Sequence, residues 1–209
     1  MPKKSDHPYH YSQDKNIVQI LIDFGIPILL FWFYLQFYNF GKITPPEMIK
    51  TTGLLAIALL SLTLVIGPLC RFFPTLEPLK AHRKIWGISS FLVGLAHTSL
   101  IFIYFFKFDF LKFFDVSNPK YLGILAGLLA LTILFVVALT STKKALTSLS
   151  PGVWKIIQST SYIALLLAIV HFYIVESANG VLVIKRLLGQ ITFGFAGITV
   201  ILRLLAALK

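Results

Sequence analysis

The sequence predicts an all-α membrane protein, a six-transmembrane-helix bundle, on three observations. Of its 209 residues 57% are hydrophobic and only 13% charged, with a mean hydropathy of +0.83. So few polar side chains cannot coat a water-soluble globule. The apolar residues fall into runs of the length, about 20 residues, that carries a helix across roughly 30 Å of hydrocarbon. The charged residues collect between those runs.

The first run, 17–38, follows a polar stretch, "MPKKSDHPYHYSQDKN", without a small-residue cleavage signal. Residues 1–16 therefore read as a cytoplasmic N-terminal segment and 17–209 as one six-span domain, the first span being retained. Asp23, in "ILIDFGIP", lies about six residues from the inner end of this span. There a carboxylate reaches cytoplasmic water or pairs with a base such as Lys84, and a proton or quinone role is the alternative. The remaining runs are 52–70, 85–106, 121–141, 156–175 and 188–207.

Twelve basic residues fall on one side of these spans: Lys3, Lys4, Lys15, Arg71, Lys80, Arg83, Lys84, Lys143, Lys144, Lys155, Arg203 and Lys209. Seven fall on the other: Lys42, Lys50, Lys107, Lys112, Lys120, Lys185 and Arg186. The positive-inside rule then puts both termini in the cytoplasm. The net charge of +11 resides in short loops, so it reads as affinity for lipid headgroups rather than nucleic acid.

Several function classes lack their residues. A single cysteine, Cys70, excludes an intramolecular disulfide and any multi-cysteine metal or iron–sulfur site built from this chain alone. No Gly-rich phosphate loop or dinucleotide fingerprint is present, and no soluble domain is expected after the sixth span, so a nicotinamide cofactor in a Rossmann domain is not expected. A Ser-His-Asp set, paired intramembrane carboxylates and internal repeats are also missing. That weakens the hydrolase and ion-coupled transporter readings.

Two solitary histidines interrupt the apolar runs, His97 in "SSFLVGLAHTSLIFIYFF" and His171 in "YIALLLAIVHFYIV". Counted from Ile85 and Ile156 at about 1.5 Å per residue, they lie about 18 Å and about 22 Å from the inner face. Both are in the outer half at similar depth. Small residues line the faces beneath them, Gly94, Ser90 and Gly87 under His97, and Ala168, Ala164 and Ser161 under His171. Such a slot suits a flat macrocycle held edge-on, with one imidazole on each side of a haem iron. The same stripes also suit close helix packing, with each histidine hydrogen-bonded to a neighbouring helix. Zinc fits less well, because no Cys, Asp or Glu lies at that depth to complete its ligand set.

Four segments carry a resemblance: "TGLLAIALLSLTLVIGPLCRF", "HRKIWGISSFLVGLAH", "LALTS" and "VWKIIQSTSYIALLLAIVHF", spanning about residues 52–175. The second span ends in Pro68 and Leu69. A basic pair, Arg83 and Lys84, precedes Trp86 and Gly87, with His97 ten residues after the glycine, and Trp154 and Lys155 open the span that ends in His171. In order and spacing these resemble the ferric reductase-like transmembrane family, most closely its short MsrQ or YedZ type, the haem-binding membrane subunit of the bacterial periplasmic methionine sulfoxide reductase system.

The resemblance implies one b-type haem held by His97 and His171 between the third and fifth spans, in a bacterial inner membrane. A c-type attachment would need a Cys-x-x-Cys-His run, which is missing. It implies electron supply from a quinone or a flavin reductase, with FMN or quinone as a further cofactor, and delivery to a periplasmic molybdenum-containing reductase subunit. Arg83, with Lys84, suits a flavin phosphate or a lipid headgroup. A ferric reductase membrane component and a non-redox six-span transporter are the alternatives. Relatives commonly carry a further histidine where this chain has Gln158, which implies one haem rather than two. His82, at the cytoplasmic edge, reads as an exposed interfacial histidine.

Overall fold

The computed structural model of the protein describes residues 17–178 and 180–208; the segment 1–16 expected in the cytoplasm lies outside them. Six helical spans are long and apolar enough to cross a membrane, which makes this a multi-pass, all-α membrane protein. In chain order the helices are α1 (Ile17–Phe37), α2 (Pro45–Phe72), α3 (Arg83–Leu100), α4 (Tyr121–Thr140), α5 (Lys143–Ser148), α6 (Pro151–Ser159), α7 (Ser161–Glu176) and α8 (Leu187–Leu208). A 3-10 stretch, Pro74–His82, leads into α3, and a π-helical turn, Ile101–Phe105, prolongs it. A two-residue hairpin, β1 (Ser177–Ala178) and β2 (Val181–Leu182), joins α7 to α8.

α2 is the central post. Nearly three quarters of its apolar window, 72%, is buried against other helices, whereas no other span exceeds 22%. α1, α3 and α8 pack on it, and α4 packs on α7. Leu60 and Leu64 of α2 meet Ala130, Leu134, Ala164, Leu165 and Ala196 in one core cluster. Lipid tails are as apolar as leucine, so such contacts hold through close packing, which small residues permit, and through interhelical hydrogen bonds. Ser90 donates to the Ala56 carbonyl at 2.8 Å, tying α3 to α2. The Tyr34 and Thr192 hydroxyls, 2.5 Å apart, tie α1 to α8.

Two spans differ from their hydropathy boundaries for local chemical reasons. α2 starts at Pro45 rather than 52, because Pro45 and Pro46 fill first-turn positions that need no N–H and Glu47 sits at the positive end of the helix. The fifth span is broken between α6 and α7. The successive hydroxyls of Ser159, Thr160 and Ser161 bond back to the carbonyls of Lys155, Ile157 and Gln158. Back-bonding of this kind bends a helix.

His82 is not the exposed interfacial residue that the sequence suggested. It is buried, its Nδ1 lies 2.7 Å from a carboxylate oxygen of the equally buried Asp23, and the Trp86 ring stacks on it at 5.5 Å. The 3-10 stretch lies against α1 and α2, so His82 meets the Asp23 carboxylate where open water was expected.

Candidate functional site

α3 and α7 bring His97 and His171 to one cavity of about 450 Å³, a size usual for a cofactor pocket, about 300–1,000 Å³. The ring centroids are 6.2 Å apart and the planes 83° apart. Two metal–imidazole bonds of about 2 Å each would set the ring centres about 6 Å apart, so the spacing fits a single metal ion shared by both rings.

Each ring is fixed by its Nδ1. The Nδ1 of His97 lies 2.9 Å from the Ile49 carbonyl oxygen, and that of His171 lies 2.8 Å from the Gly123 carbonyl oxygen. A carbonyl only accepts, so both Nδ1 atoms carry the proton and both Nε2 atoms keep a lone pair. Metal-binding histidines are oriented in this manner, the second-shell acceptor raising the basicity of the ligating nitrogen.

The same device recurs on both sides of the cavity. α2 offers the Ile49 carbonyl and, one turn on, Gly53; α4 offers the Gly123 carbonyl and, one turn on, Gly127. A Cβ on Gly53 would stand 2.9 Å from His97 Cε1, and one on Gly127 would stand 2.8 Å from His171 Nδ1. Only a glycine lets the imidazole come so close. Neither glycine was singled out from the sequence, although a mid-helix glycine that costs about 1 kcal/mol relative to alanine is a signal of close approach.

The small stripes divide between the two roles weighed for them. Ser90, Gly94 and Ala168 line the cavity. Further from the histidines, Gly87 packs on Thr63, and Ser161 and Ala164 are buried in the helix interfaces. Slot and close packing thus occupy successive heights of the same faces.

Arg83 stands away from the histidines. Its Nε donates to the Thr63 carbonyl at 3.0 Å, beside Tyr162, whose hydroxyl donates to the Leu64 carbonyl at 2.8 Å and whose ring lies 5.0 Å from the Arg203 guanidinium carbon. Gln158 is committed to the end of α4: its amide nitrogen donates to the Val137 carbonyl and to the Thr140 and Ser141 hydroxyls at 3.2–3.3 Å. Among the described residues no three His, Cys, Asp or Glu side chains converge. A site with two imidazoles, no third protein ligand among the described residues and a cavity of about 450 Å³ therefore suits a metal that brings its own equatorial ligands, as haem iron does.

A family model described as ferric reductase like transmembrane component matches residues 52–169, which include His97 and end two residues before His171. No curated protein matches the chain.

Proposed function

The chain belongs to the ferric reductase-like transmembrane component family, and on that premise we propose that it is a b-type haem subunit for electron transfer through a membrane, with His97 and His171 as the axial ligands of one haem. The observation that carries this reading is the pair of imidazoles on one cavity, each held by Nδ1 to a helix carbonyl and each left with a free Nε2 lone pair. Haem bound there supplies a one-electron ferric–ferrous couple. The chain supplies orientation: Ile49 and Gly123 set the tautomers, Gly53 and Gly127 seat the rings, and the largely apolar lining excludes water.

With both termini cytoplasmic, in a bacterial inner membrane, the histidines lie in the outer half. Electrons then come from quinol in the bilayer or from a flavin supplied by a flavin reductase, and they leave to an extracytoplasmic reductase. The resemblance points to a periplasmic molybdenum-containing enzyme acting on oxidised protein methionine. The family description favours a second reading, direct reduction of ferric ions at the outer face, which predicts activity on ferric chelates without a protein partner.

The test is the absorption spectrum of the purified protein, oxidised and dithionite-reduced, with the haem-to-protein ratio. The expected result is sharp low-spin bands at one haem per chain, lost in His97→Ala and in His171→Ala while both variants still insert. A colourless wild-type protein would favour the non-redox transporter, and a variant that keeps the full bis-imidazole spectrum would unseat that residue as a ligand.

A further inference from the structure

The cavity is polarised along its length. At one end it is closed by Leu60, Ser90 and Leu134; at the other its rim carries Lys50, Asn118, Lys120 and Glu176. Haem has a matching asymmetry, an apolar macrocycle with both carboxylates on one edge. Resting on the haem reading above, we propose that Lys50 receives the carboxylate edge of the haem, so that the macrocycle lies with its acid side toward the N-terminal ends of α2 and α4.

Lys50 and Lys120 are the two bases on the rim, and they are not equivalent. The Lys120 ammonium already donates to the Ile174 carbonyl at 2.8 Å and to the Ser177 carbonyl, where it closes the C-terminal end of α7. Lys50 is exposed and has no hydrogen-bond or ion-pair partner among the described residues. Its position in the chain is fixed relative to the ligands: it follows Ile49, whose carbonyl orients His97, and precedes by three residues Gly53, on which the His97 ring rests. A long flexible cation on the turn of α2 that holds a proposed axial ligand, at the polar end of the same cavity, can follow a carboxylate at the macrocycle edge. Glu176 is the one acid on the rim, so the two lysines leave the mouth net positive, as an acidic edge requires.

The experiment separates this claim from the haem reading. The full chain is produced without haem and loaded with either iron protoporphyrin IX or its dimethyl ester, and release to an excess of a haem-scavenging apoprotein is timed. Lys50→Met should speed release of the free-acid haem about three- to tenfold, the size of a partly screened ion pair, with ester release changed less than about twofold. Lys50→Arg should restore slow release, and the low-spin bands should stay as in wild type throughout. An equal effect of Lys50→Met on both porphyrins, or none on either, would overturn the assignment and leave the histidine reading standing. Failure of the wild-type chain to take up either porphyrin would overturn both.

Discussion

At Gly127 a single methyl group decides where an imidazole can sit. The added carbon would lie 2.8 Å from His171 Nδ1, and Gly53 sets the same limit for His97 at 2.9 Å. Gly127→Val should therefore displace the ring, break its bond to the Gly123 carbonyl, worth about 1 kcal/mol, and lower haem content to about a tenth. Gly197→Val, at a position with nothing within 4 Å, is the matched control and should keep full content. Haem per protein after solvent extraction reads both. Gly94 asks a different question, because it lines the cavity without touching a histidine. Gly94→Leu should fill space the macrocycle needs and reduce haem content; unchanged content would assign the stripe to helix packing alone. The two histidines were legible in the sequence because an unpaired polar group in an apolar run is costly wherever it lies, and counting residues put both at one depth. The glycines were less legible, since their use depends on a ring that belongs to another helix.

Helix boundaries show what hydropathy can and cannot read. Six spans follow from length and composition alone, because hydrocarbon thickness fixes how many apolar residues a helix needs. The break between α6 and α7 follows instead from hydroxyls competing for carbonyls, which a hydropathy window averages away, and its effect is to set Gln158 against the end of α4. That placement bears on the number of haems. The resemblance implies another histidine at the position of Gln158, whose amide nitrogen here lies within hydrogen-bond distance of Val137, Thr140 and Ser141 at the end of α4. Gln158→His should leave the haem-to-protein ratio at the wild-type value, and a second, spectrally distinct haem would show that a usable space persists there. The Asp23–His82 pair is the second long-range tie that sequence separation hid, 59 residues apart and buried from both sides. His82→Ala removes one hydrogen bond between two buried side chains, so it should destabilise the bundle by about 2 kcal/mol. Reversible unfolding in mixed micelles measures this, and a loss below about 0.5 kcal/mol would mean that the pair does not help hold the bundle together.

On the scale of the whole molecule, the two ends of the bundle differ in charge and in what lies near the histidines. Among the described residues, the end bearing Arg71, Lys80, Arg83, Lys84, Lys144, Lys155 and Arg203 carries two acids, Asp23 and Glu77, against four at the other end, Glu47, Asp109, Asp115 and Glu176, and the histidine cavity reaches that other end, at Lys50 and Lys120. On the proposed orientation and with the one proposed haem, the inner half of the membrane would hold no second pair of imidazoles among the described residues, Gln158 being bonded there to the end of α4. On that proposal, electrons from the cytoplasm would need a carrier that enters the bilayer or docks at the inner arginines. Two of these, Arg83 and Arg203, flank Tyr162. In sealed vesicles holding the purified protein, NADH alone on the inner side should not reduce the haem at a useful rate. A quinol, or a flavin together with a flavin reductase, should restore reduction, and the electrons should then pass to a soluble acceptor on the outer side. If quinol and flavin act through different ends of the chain, Arg83→Gln should slow the flavin-dependent rate and spare the quinol-dependent one, since a guanidinium recognises a phosphate and a quinol carries none. Rapid haem reduction by NADH in the pure protein, with neither quinone nor flavin present, would overturn this order of electron flow.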